Sequence, residues 1–94
     1  MKLEEITVER VKESYEKTGL KPGKFKTPSY ACALQTLAEE LLGGKRYWYD
    51  VLRDNSTNAF THGFDFPESA CKKYTDKELE AFLKGQEIAK ALGL

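Results

Sequence analysis

Apolar side chains in this chain return every three or four positions, in stretches cut apart by glycine and proline, and that spacing points to amphipathic helices. In the first stretch, Lys2 to Lys17, the residues Leu3, Ile6, Val11 and Tyr15 fall near helical spacing, while glutamates and lysines fill the other faces. Acidic residues lead and Lys17 trails, the order that suits the helix dipole. Thr18-Gly19 ends the stretch, with Gly19 free to take the left-handed cap conformation.

Leu20 to Pro28 (LKPGKFKTP) holds two prolines, a glycine and three lysines, too many breakers for a helix or a central strand. It reads as a loop or linker anchored by Leu20 and Phe25. Ser29 is then a good N-cap for a helix over Tyr30 to Leu42, with Ala31, Leu34, Leu37, Ala38, Leu41 and Leu42 on one face and Gly43-Gly44 as its stop. Tyr47 to Leu52 (YWYDVL) is ambiguous. Its aromatic and β-branched content suits a strand, while Tyr47, Val51 and Leu52 also fit one face of a short helix. Helix is the favoured reading, because no second strand of matching pattern is there to pair with it.

Ser56 or Thr57 can cap another short helix carrying Ala59, Phe60, Gly63 and Phe64, bounded by Pro67. Thr75-Asp76-Lys77-Glu78 has the form of a capping box, Thr75 at the N-cap and Glu78 reaching back. Leu79, Phe82, Leu83, Ala89 and Leu92 follow as the buried stripe of a last helix, Asp76 to Leu92. Phe60-Thr61-His62-Gly63 and Phe82-Leu83-Lys84-Gly85 both set glycine three residues after phenylalanine. Glycine inside a helix costs about 1 kcal/mol against alanine, so each suggests a close crossing against another backbone.

The predicted fold is therefore all-α, one domain spanning residues 1–94, with three longer helices and one or two short ones. An α+β arrangement with a small sheet around residues 47–52 is the alternative. The expected core is Ile6, Val11, Leu34, Leu37, Leu41, Val51, Phe60, Phe64, Leu79, Phe82 and Leu83. At 94 residues the chain can bury a thin core without staples.

Fifteen Lys and Arg balance fifteen Asp and Glu, so no long-range field gathers nucleic acid or an anionic membrane. No signal peptide is visible, and no apolar run nears the roughly 20 residues of a membrane span. Two cysteines, Cys32 and Cys71, are too few for a disulfide framework, and reduced thiols in the cytoplasm are the expectation. A single disulfide between them stays open as an alternative.

Cys32 draws attention chemically. With Ser29 as N-cap it would lie at N3, where free N–H groups and the helix dipole favour a thiolate. His62, the single histidine, could act as its base, with Asp65 or Asn58 orienting the ring. The competing account is a small buried hydrophobe between two alanines and a partly exposed polar histidine, so no catalytic residue is assigned. Cys32, Cys71, His62 and Asp65 lack the close spacing of a zinc site, and no metal or cofactor is implied.

Lys45-Arg46 precedes Tyr47-Trp48-Tyr49, and Lys21, Lys24 and Lys26 surround Phe25. Basic residues beside aromatics suit single-stranded nucleic acid. Three consecutive aromatics cannot all face inward, however, and an exposed ring on a neutral protein fits a protein contact better. The expected interaction surface is thus Lys45, Arg46, Tyr47, Trp48 and Tyr49. The expected function is that of a non-enzymatic accessory protein with a protein partner or self-association. A small cysteine/histidine enzyme or small-molecule binder is the rival, and nucleic-acid binding the third reading.

Tyr15 to Pro22 (YEKTGLKP), Ala31 to Ala38 (ACALQTLA) and Ala59 to Asp65 (AFTHGFD) together resemble a group of short uncharacterised bacterial and phage-associated proteins. These share a helix ending in Thr-Gly-Leu, a Cys-x-Leu-x-x-Leu-Ala helix and a Gly-Phe-Asp turn. The likeness covers about residues 11 to 66. It implies a compact helical fold and carries no activity onto any residue here.

Overall fold

Thr7 decides where the first long helix begins. Its side chain accepts the Arg10 N–H, so the periodic stretch from Lys2 to Lys17 divides in two. A short 3-10 turn covers Leu3–Glu5, and α1 runs over Val8–Thr18. Ile6, fully buried, occupies the break between them in an extended conformation. Gly19 closes α1 with φ of 75°, and its N–H reaches the Tyr15 carbonyl, as the left-handed cap requires.

The computed structural model describes residues 1–23, 29–43, 51–52, 56–70 and 73–94. Within them the protein is mostly helical, with a small two-stranded parallel sheet. That sheet corrects the reading of residues 20–28 as a loop throughout. β1 (Lys21–Pro22) pairs with β2 (Tyr30–Ala31), Lys21 beside Tyr30 and Pro22 beside Ala31. The proline is tolerated because the donors are its neighbours. Lys21 N–H reaches Ser29 at 2.8 Å and Gly23 N–H reaches Ala31 at 3.2 Å, so the missing donor of Pro22 faces away from the partner strand.

The same sheet moves the start of the next helix. Tyr30 and Ala31 are taken up in β2, so α2 covers only Ala33–Leu42 and its N-cap is Cys32, not Ser29. α2 runs antiparallel to α1. Tyr15, late in α1, donates to the Ala31 carbonyl before α2 at 2.7 Å, and Arg10, early in α1, meets Glu40 near the end of α2. Leu41 and Leu42 lie beyond that last contact and are 46% and 43% exposed. Leu41 is therefore not a core residue, contrary to its position on the apolar stripe.

α3 (Thr57–Asp65) and α4 (Asp76–Ala91) form the second antiparallel pair. The two Phe-x-x-Gly segments meet each other. A Cβ on Gly63 would collide with the Phe82 carbonyl oxygen, and one on Gly85 would collide with the Phe60 carbonyl oxygen and lie 2.9 Å from the Phe64 nitrogen. Each glycine thus seats the backbone beside the other's phenylalanine, a reciprocal crossing that side chains would hold apart.

This close approach selects the buried face of α4. Ala81, Phe82, Gly85, Gln86, Ile88 and Ala89 line it. Leu83 sits one helical step (about 100°) from Phe82 and is 51% exposed, and Leu79 is half-buried, so the expected core loses both as full members. Gln86 is a polar member with its donors used. Its amide reaches the carbonyls of Phe66 at 3.1 Å and Ser69 at 2.7 Å, tying the turn after α3 to α4.

The start of α4 also departs from expectation. Thr75 is the N-cap, but its side chain makes no capping bond, so the capping box does not form. Asp76 takes φ of 51°, a left-handed setting that aspartate bears better than most residues. Ser56 holds the N-cap position of α3 without a side-chain capping bond.

The core draws on every helix. Val11 and Tyr15 come from α1, Leu34 and Leu37 from α2, Phe60 and Phe64 from α3, and Phe82 and Ile88 from α4. Val51 and Leu52 are buried beside them, as expected of Val51. Lys45, Arg46, Tyr47, Trp48 and Tyr49 lie outside the described residues, as do Lys24, Phe25, Lys26 and Cys71. The question of helix or strand over residues 47–50 lies outside them too.

Candidate functional site

Cys32 stands at the start of α2 with its sulfur turned to the helix. Its Sγ accepts the Gln35 N–H at 3.4 Å, and its carbonyl accepts the Thr36 hydroxyl at 2.9 Å. The side chain fills the role serine or threonine usually has at an N-cap. Only 8% of the residue is exposed.

The electrostatics oppose the expected thiolate. Burial pushes the thiol above its ordinary value; the Gln35 N–H pulls the other way without reversing the shift, and the Asp65 carboxylate adds a smaller push in the direction of burial. A nucleophilic cysteine needs its thiolate, and this one is held protonated through neutral pH. Moving Cys32 from N3 to the N-cap changed its role: it completes the helix instead of exploiting it.

His62 sits among aromatic rings. Its Nδ1 lies 3.1 Å from the Tyr74 hydroxyl, with donor and acceptor set by the ring's tautomer. Three rings meet it edge-on: Phe66 at 5.5 Å, Tyr74 at 5.7 Å and Phe82 at 5.3 Å between centroids. Tyr74 also receives the Lys73 ammonium over its face at 5.1 Å. His62 therefore joins α3, the segment before α4, and α4 itself.

Among the described residues, the hydrogen bonds of Cys32 run to Gln35 and Thr36 and that of His62 to Tyr74. Asp65, cast as an orienter for His62, exerts its field on Cys32, and Asn58 is exposed. Among the described residues, no three His, Cys, Asp or Glu side chains gather as a metal site would require.

Two arrangements escaped the sequence. Tyr74, the hydrogen-bond partner of His62, precedes α4 and lies on no periodic stripe. The other is a charge network on α1 and α2. Arg10 grips Glu40 with two bonds of 2.9 Å, and Lys17 bonds Glu13 at 2.8 Å and reaches Glu40 at 3.7 Å. The Arg10 bonds hold the Glu40 carboxyl below 4.5, and Lys17 lowers Glu13 likewise. Tyr15, buried beneath, has its phenol pushed well above 10.0 by loss of water.

No known protein family, characterised protein or solved structure matches the chain. Among the described residues, no helix is long and apolar enough to cross a membrane.

Proposed function

We propose that this protein is a non-enzymatic accessory protein of the cytoplasm that works through protein contacts, self-association included. The observation that carries the reading is the pair Leu41-Leu42. Two successive leucines stay about half exposed in the last turn of α2, and the chain continues within three residues into Lys45-Arg46-Tyr47-Trp48-Tyr49. Adjacent exposed leucines beside an aromatic run have the composition of an interface centre. The use of Cys32 as a protonated cap weighs against the rival enzyme built on Cys32 and His62. Zero net charge weighs against nucleic acid.

Sedimentation equilibrium from micromolar to millimolar concentration tests the self-association form. The mass is expected to rise with concentration in the parent chain and to stay monomeric when Leu41→Ser and Leu42→Ser are combined. A parent that remains monomeric throughout, with Trp48 fluorescence unaffected by concentration, removes the support for this form.

A further inference from the structure

We draw no further inference here: the strongest candidate, the half-exposed Phe66 ring set edge-on against His62 where α3 ends, is an apolar surface patch, and nothing in the structure shows what covers it.

Discussion

The α3–α4 contact and the α1–α2 contact are both antiparallel helix pairs, yet opposite means hold them. Between α3 and α4 the decisive feature is what is missing, since two absent Cβ atoms let carbonyls and backbone nitrogens approach directly. The α1–α2 pair is held by reaching side chains, Arg10 to Glu40 in α2 and Tyr15 to Ala31 in β2, directly ahead of α2. A backbone-to-backbone crossing has no flexible part to yield. A contact made by long side chains can be loosened in steps, and protons can loosen it. The difference teaches where this molecule is brittle and where it is tunable.

The sharpest way to break that contrast is to add one methyl group. Gly85→Ala, and separately Gly63→Ala, should each cost roughly 2 kcal/mol or more, because the new Cβ overlaps backbone that can move only by parting the helices. In a helix with no such neighbour the same change would stabilise by about 1 kcal/mol. Urea unfolding measures the sign directly, and a stabilised variant would refute the crossing.

Tyr15→Phe probes the other pair by deleting one hydroxyl. The Ala31 carbonyl keeps its bond from Gly23, so no acceptor is stranded, and the loss should be about 1 kcal/mol. Urea midpoints compared with those of the Gly85 variant would rank the two interfaces. A cost equal to that of Gly85→Ala would erase the distinction drawn between them.

Glu40→Gln should cost less still, about 0.5–1 kcal/mol at neutral pH, since the pair is partly open to solvent. Its signature lies in acid. The folded Glu40 carboxyl titrates below 4.5, so its contribution is complete above that value and fades as pH falls through the folded pKa. Stability measured between pH 6 and pH 2 should therefore decline less steeply in the glutamine variant than in the parent. Parallel curves would mean that the pair does not couple α1 to α2.

The smallest effect is expected at Cys32. Serine can accept the Gln35 N–H in its place, so Cys32→Ser should change stability by no more than about 0.5 kcal/mol. In the parent, Cys32 should react with a thiol reagent more slowly than a free cysteine up to pH 9, because burial keeps its proton on. Fast labelling of Cys32 in the folded state at neutral pH would restore the nucleophile reading.

Much of the architecture was legible because it is written locally. Thr18-Gly19 marked a helix end, and Gly19 takes the left-handed cap. The paired Phe-x-x-Gly segments marked close crossings, because glycine inside a helix is a cost that needs a reason. The candidate site was less legible. His62 and Cys32 were singled out as residue types, but their real neighbours, Tyr74 for one and Gln35 and Asp65 for the other, depend on how separate segments come together.

What the sequence determined by itself, then, was the helical character of the chain and the places where backbones could come close. Spacing of apolar residues and the presence or absence of Cβ are properties of short stretches. Only the tertiary structure decided which residue begins α2, because pairing with Lys21–Pro22 withdrew Tyr30 and Ala31 and left Cys32 to cap. It also decided that Leu41 and Leu83 face solvent. An apolar stripe is buried only where a neighbour covers it, and which turns and which side are covered is set by residues far away in the chain.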